Sequence, residues 1–193
     1  MIGDDGVNRP DCINIEDVIK KHVQEFIESG NLIEENGLAI GSGGNLSIKV
    51  PGGMLVTSTG SKLSDLRPDE IVFVLAANGE NVYYFGTKKP SSEAVNHWII
   101  YEKRLNVEAI SHVNVGPKDS KNIIVSQEEI PYGTIELGYD TATLFQKADV
   151  AMLKNHGVIA VGKSLLEATK LLIDSTDKEK PYIFASGQKK SNT

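Results

Sequence analysis

Apolar residues at Ile15, Val18, Ile19, Val23, Phe26 and Ile27 recur at the three-and-four spacing of one helix face. Asn14 stands where an N-cap is wanted, and Gly30 stops the run. Beyond a Gly41-Ser42-Gly43-Gly44 cluster the pattern shortens to strand-length runs. Residues 46–50 and 54–57 flank Pro51-Gly52-Gly53, and residues 71–75 and 82–85 flank Asn78-Gly79, which are two hairpin signals. A second helix is expected from Ser91 or Ser92 to about Leu105, with Val95, Trp98 and Ile99 on its apolar face. Residues 107–113 read as a strand, 122–125 as a weaker one and 137–147 as a short helix. Two further strands, 150–153 and 158–161, are pinched together by Asn155-His156-Gly157. Ser164-Leu165-Leu166-Glu167 is a capping box that opens the last helix. Leu165, Ala168, Leu172 and Ile173 carry that helix to about Thr176, and Pro181 should kink or end it. Helices and antiparallel strands alternate with no linker between them. The expectation is one α/β domain over residues 14–185, with helices on both faces of a sheet, a loose leader at 1–13 and a flexible tail at 186–193.

Composition narrows the function more than the fold. A chain of 193 residues, 40% hydrophobic and 24% charged, suits one sizeable core and neither disorder nor a repeat array. No apolar run approaches the roughly 18 to 20 residues of a membrane span, and residues 1–11 lack the basic start and apolar stretch of a secretory signal. The single cysteine, Cys12, excludes an internal disulfide framework and suits a reducing, cytoplasmic setting. A net charge of −6 argues against a nucleic-acid surface, which needs a basic stripe. The mixed charges of 178–190 read as a solvated tail. A small anion can still be bound locally on an acidic protein.

The candidate chemistry lies in a few polar positions. Four histidines occur: His22, His97, His112 and His156. His22, beside Lys20 and Lys21, reads as an exposed helix residue. His112 ends an apolar strand and His156 sits in a tight turn, so the two can converge on one rim of a sheet, as metal ligands do. Each taken alone is more often structural. Glu93 falls at a helix start after Pro90-Ser91-Ser92, where a carboxylate is favoured by the helix dipole or, functionally, stands beside an anion site as a base. His97 lies one turn on and either orients Glu93 or packs. Gly41 to Asn45 and Thr57-Ser58-Thr59-Gly60-Ser61-Lys62 are small, hydroxyl-rich segments that serve equally as anion cradles or as turn punctuation. Neither is a nucleotide motif: the first precedes its strand, and Leu46 stands where a dinucleotide fingerprint needs glycine.

Taken in order, Ser42-Gly43-Gly44-Asn45-Leu46-Ser47, Thr57-Ser58-Thr59-Gly60, Lys89-Pro90-Ser91-Ser92-Glu93, His112-Val113-Asn114 and Lys154-Asn155-His156-Gly157 resemble the class II aldolase/adducin family over about residues 15–175. The resemblance implies an αβα fold with a central, largely antiparallel sheet, and a homotetramer with active sites at subunit contacts. It implies that Asn45, Thr59, Gly60, Ser91 and Ser92 hold a substrate phosphate, that Glu93 is the acid/base, and that His112 and His156 hold a divalent metal, zinc in such enzymes. The chain departs from the pattern at Asn114, where the family has a third histidine, and zinc prefers imidazole to a neutral amide oxygen. The stretch 116–131 is also shorter than in the aldolases and leaves their proton-donor tyrosine unplaced, Tyr132 being nearest. The implied activity is a lyase that cleaves a phosphorylated ketose to dihydroxyacetone phosphate and an aldehyde. An epimerase or dehydratase on the same scaffold, or a non-catalytic binding protein, are the alternatives, and Asn114 favours the last.

Overall fold

The computed structural model describes residues 13–79, 81–118 and 123–181. Residues 1–12 of the expected leader, Cys12 among them, residues 182–185 of the expected domain and the expected tail lie outside the described residues.

The first helix, α1 (Ile15–Glu35), is capped as the sequence suggests: Asn14 Oδ1 accepts from the backbone N–H of Glu16 at 3.1 Å and of Asp17 at 3.4 Å. It does not stop at Gly30 but runs through it to Glu35. The glycine is there for close approach. A Cβ at position 30 would stand 1.9 Å from the carbonyl oxygen of Leu63, in the short 3-10 turn Leu63–Asp65. Sequence alone shows only that glycine is a poor helix former, and here the packing partner decides.

Four strands follow the periodic reading closely: β1 (Asn45–Val50), β2 (Gly53–Thr57), β3 (Ile71–Asn78) and β4 (Asn81–Phe85). After α2 (Ala94–Lys103) come β5 (Ala109–Val113), β6 (Val115–Pro117), β7 (Ile124–Val125) and α3 (Ile135–Leu144). The chain then forms β8 (Val150–Leu153), β9 (Gly157–Gly162), α4 (Leu165–Ser175) and β10 (Thr176–Pro181). Ser164 caps α4 by accepting from Glu167 N–H at 3.1 Å. Pro181 plays no part in ending that helix, which gives way at Ser175 to β10, and β10 pairs with β6 in a separate two-stranded sheet. That ladder is invisible to periodicity because Thr176 to Lys180 is almost wholly polar.

The main sheet has eight strands in the order β4-β3-β2-β1-β5-β9-β8-β7, antiparallel throughout except for β7 with β8. Its two faces bury different sets. Phe26 and Ile33 of α1 and Leu172 of α4 pack with Leu46, Ile48 and Leu55 on one face. Ile100 of α2 and Leu137 of α3 pack with Met54, Val56, Val72 and Ile110 on the other. Alternation along β1 and β2 follows directly, with one residue set for each helical layer. The result is the three-layer α/β architecture with a largely antiparallel sheet.

Gly30→Ala tests the close approach of α1. In an open helix this change stabilises by roughly 0.4 to 1 kcal/mol. Here it should instead cost about 1 to 3 kcal/mol, the usual cost of overpacking, seen as a lower urea midpoint with an unchanged slope. A raised midpoint would mean that the turn at Leu63 yields freely.

Candidate active site

Three neighbouring elements gather the polar residues at one end of the sheet. Asn45 opens β1 and lies directly across from His112 of β5 in the ladder register. His112 lies across from Ile159 of β9, and β9 leads back into the turn that holds His156. In that turn Asn155 takes a left-handed conformation, φ 55°, and its side-chain amide donates to Glu129 Oε2 at 2.7 Å. Gly157 follows at φ 155°, and a Cβ there would meet the Val113 carbonyl oxygen at 2.2 Å. The Asn-His-Gly sequence is therefore a backbone requirement that presses the turn against β5 and aims His156 inward. Glu93 is the N-cap residue of α2, its backbone N–H donating to Ser91 Oγ at 3.3 Å.

The Glu93 carboxylate is the centre of the arrangement. Asn45 Nδ2 donates to its Oε2 at 2.5 Å. His112 Nε2 stands 3.3 Å from the same oxygen, and His156 Nε2 stands 2.7 Å from Oε1. All four side chains are buried. Burial by itself pushes the Glu93 carboxyl up, but the two imidazoles and the Asn45 amide outweigh it and hold the group well below the usual carboxylate range. His112 is pushed down, by burial first and by its neighbour His156 after that, against the pull of Glu93. His156 is raised, because the Glu93 charge and its hydrogen bond overcome burial. The two histidines are thus driven in opposite directions, with protonation favoured at His156 and disfavoured at His112.

These residues fit a divalent metal. Glu93, His112 and His156 each offer a ligand atom, and the three atoms lie within 4.8 Å of one another. His112 Nδ1 donates to the Val158 carbonyl at 2.9 Å. That bond fixes the tautomer and leaves the Nε2 lone pair facing the cluster, buried and without a hydrogen-bond partner among the described residues. Asn114 lines the same cavity, and its Oδ1 likewise has no hydrogen-bond partner among the described residues.

The cavity over this centre is about 520 Å³. The residues singled out from the sequence meet there: Asn45, Thr59, Gly60, Ser91, Ser92, Glu93, Asn114 and His156 all line it, with Tyr132 on its wall. Tyr132 is half exposed, and its ring centroid lies 6.3 Å from that of His156. The two hydroxyl-rich turns are laced side by side. Thr59 N–H donates to the Lys89 carbonyl at 2.9 Å, and Ser91 N–H to the Thr57 carbonyl at 3.0 Å. His112 is buried behind the cavity wall. His22 stands apart on α1, 3.8 Å from Glu25, and is partly buried there instead of exposed. Sequence reasoning missed Ser47 and Tyr101, which lie behind Glu93; the signal available was the spacing Glu93, His97, Tyr101 along one helix face.

A buried carboxylate between two imidazoles, at the floor of a polar cavity on a largely antiparallel sheet, is a scaffold for metal-assisted chemistry. The chain belongs to the class II aldolase and adducin N-terminal domain family, whose profile it matches over residues 24–115 and 119–176. It is similar to the 5-methylthioribulose-1-phosphate/5-deoxyribulose-1-phosphate aldolase of Rhodospirillum rubrum, 29% identical over 176 residues, covering 81% of this chain and 78% of that one. An L-fuculose phosphate aldolase of Methanocaldococcus jannaschii is 29% identical over 163 residues, 75% of this chain and 86% of that one. A 3-oxo-tetronate 4-phosphate decarboxylase of Escherichia coli is 30% identical over 190 residues, 86% and 87% of the two chains. Among solved structures, an L-fuculose 1-phosphate aldolase superposes with a TM-score of 0.68 at 27% identity, covering 78% of this chain and 79% of that one. A sugar-phosphate aldolase from Thermotoga maritima gives 0.67 at 21% identity, covering 81% and 92%, and bears on the fold alone.

Two metal measurements follow. Binding must displace the proton on His156, so zinc affinity should rise about tenfold per pH unit while that histidine is protonated and level off above its pKa. Asn114→His, which adds an imidazole beside the centre, should tighten zinc by at least about tenfold in a chelator competition. Unchanged affinity would mean that position 114 does not face the ion.

Proposed function

We propose that the protein is a metal-dependent lyase that breaks a carbon–carbon bond of a phosphorylated ketose, releasing dihydroxyacetone phosphate and an aldehyde. The observation that carries this reading is the Glu93 carboxylate, fixed between His112 and His156 at the floor of a cavity whose other walls are hydroxyl-rich. Family membership and the aldolases among the relatives support an aldolase-type enzyme.

The chain's residues divide the work. Asn45, Thr59, Gly60, Ser91 and Ser92 bind the substrate phosphate, helped by the N-terminus of α2. Neutral donors suit this place, because a lysine or arginine here would compete for Glu93. The phosphate anchor sets the reacting carbons over the two histidines, so that cleavage is effectively intramolecular. A divalent ion, zinc in this reading, would be held by His112 and His156 and when bound supplies Lewis-acid polarisation of the carbonyl and adjacent hydroxyl oxygens. Glu93 Oε1 and Oε2 take and return the proton as the bond breaks and the carbon fragment is quenched. Asn45 keeps that carboxylate in place between transfers.

The relative from Escherichia coli favours a second reading, decarboxylation of a phosphorylated 3-oxo acid. Loss of carbon dioxide leaves the same kind of negative charge beside a carbonyl as loss of an aldehyde, so the same residues serve. Active sites completed by neighbouring subunits of a homotetramer belong to the proposal. Its support is the apolar surface that β3 and β4 leave open at Leu75, Tyr83, Tyr84 and Phe85. Light scattering should give a tetramer, and a stable monomer would count against a shared site.

The deciding assay supplies zinc or manganese with a panel of ketose 1-phosphates and 3-oxo acid phosphates, and follows dihydroxyacetone phosphate and carbon dioxide separately. Glu93→Gln should bind the phosphorylated ligand as well as the parent or better, yet lose turnover by at least about a hundredfold. Ser92→Ala with Thr59→Ala should abolish the melting-temperature rise given by phosphoglycolate. An inert parent whose Glu93→Gln variant only binds more tightly would point to a binding protein instead.

A further inference from the structure

Behind Glu93 lies a set of buried polar groups that the chemistry above does not use. Glu93, His97 and Tyr101 recur every fourth residue and form one stripe of α2. Asn45 and Ser47 alternate along β1 on the face turned to α2, while Leu46 and Ile48 face the other layer. The stripe and the strand meet rung by rung. Asn45 Nδ2 donates to Glu93 Oε2 at 2.5 Å. Ser47 Oγ lies 2.8 Å from His97 Nδ1 and 2.8 Å from the Tyr101 hydroxyl. Ser47 and His97 have no exposed surface at all.

The direction of these hydrogen bonds can be worked out. Burial drives the Tyr101 phenol up, so it stays protonated and donates to Ser47 Oγ. Ser47 then has its own proton to give to His97 Nδ1. Burial pushes His97 down to about 3, so its ring is neutral and can accept at Nδ1. The ring proton is left on Nε2, which is buried without a hydrogen-bond partner among the described residues. A buried donor left without an acceptor is destabilising. A phenylalanine of similar size would fill the space without that cost. What the polar rung adds is register. The His97 backbone N–H closes the first turn of α2 on the Glu93 carbonyl at 3.1 Å. Helical side chains lean towards the N-terminus, which brings the imidazole close to the Glu93 side chain.

We propose that His97, seated by Ser47 and Tyr101, is a positioning residue for Glu93: its bond to β1 fixes the first turn of α2 so that the carboxylate stays between His112 and His156. The inference rests on the reading above only for the part Glu93 plays in turnover; the placement itself is a property of the metal-free protein.

The test is a double-mutant cycle in urea, run on metal-free protein with His97→Phe and Glu93→Gln. Gln keeps the shape of Glu, so the cycle reads the charge and hydrogen bonds at position 93 and not its packing. If His97 acts through Glu93, the unfolding constants should be non-additive by about tenfold. His97→Asn puts an amide where Nδ1 stood, keeps the bond to Ser47, and should restore the coupling. On any substrate that the parent turns over, His97→Phe should lower kcat by about tenfold with KM nearly unchanged, and His97→Asn should recover most of it. An additive cycle overturns the proposal whatever the kinetics. A parent inert on every substrate would sink the lyase reading and leave the cycle to decide this one.

Discussion

A carboxylate taken out of water must be compensated or it will not stay ionised, and the architecture answers that constraint at Glu93. An isolated buried charge costs many kcal/mol, far more than one small domain can spare. Glu93 meets an amide from β1, one imidazole from the end of β5 and another from the turn before β9. No single segment could supply all three. The helix that carries Glu93 must therefore start at one place above the sheet, and β1, β5 and β9 must be adjacent, as they are. The same attraction that keeps the carboxylate charged also favours a proton on His156, so the two side chains support each other as an ion pair.

The two-layer cover of the sheet is what buries the back of this centre. Alternating residues of β1 and β2 fill the layers under α1 and α4 on one side and under α2 and α3 on the other. In a low effective dielectric each hydrogen bond at the centre is stronger, and each unpaired group is more costly. Of the buried atoms without a hydrogen-bond partner among the described residues, His112 Nε2, His97 Nε2 and Asn114 Oδ1 belong to this region, while others, such as Ser29 Oγ on α1 and Asp140 Oδ2 on α3, lie away from it. Polar groups left open beside a cavity mark where the fold keeps bonding capacity for something it does not itself contain.

How much of this could be read from the chain depended on whether the cause was local. The hairpins at Pro51-Gly52-Gly53 and Asn78-Gly79, the caps at Asn14 and Ser164 and the pinched turn at His156 are short-range chemistry, and they stood in the sequence. The candidate site residues stood in ordered motifs, and the fold brings all of them but His112 to the lining of one cavity. What failed was tertiary. Gly30 looked like a stop and is a contact, because its partner is the Leu63 carbonyl far along the chain. Pro181 looked like a helix breaker and lies in a strand, because β6 offers a ladder to a polar segment. Ser47 carried no signal until β1 and α2 were laid against each other, and Tyr101 only the fourth-residue spacing that it shares with Glu93 and His97.

Asn114 stands where the resemblance to the family led to the expectation of a third histidine. It follows His112 by two residues, in the bend between β5 and β6, and lines the cavity over the centre. A Cβ on Gly43 would come within 2.8 Å of Asn114 Nδ2, so the amide packs against a position that only glycine leaves open. An amide there offers a neutral oxygen in place of an imidazole nitrogen. The donors about the centre are then two imidazoles and one carboxylate, with an amide beside them, a harder set than three imidazoles. Such a set weakens the hold on zinc more than the hold on manganese or another oxygen-seeking ion, although zinc still binds more tightly than manganese in absolute terms. It also places an uncharged acceptor against the cavity, where a substrate hydroxyl can donate to it. Under the lyase proposal, the residue at 114 would exchange metal affinity for a contact to substrate, with Glu93, His112 and His156 left in place.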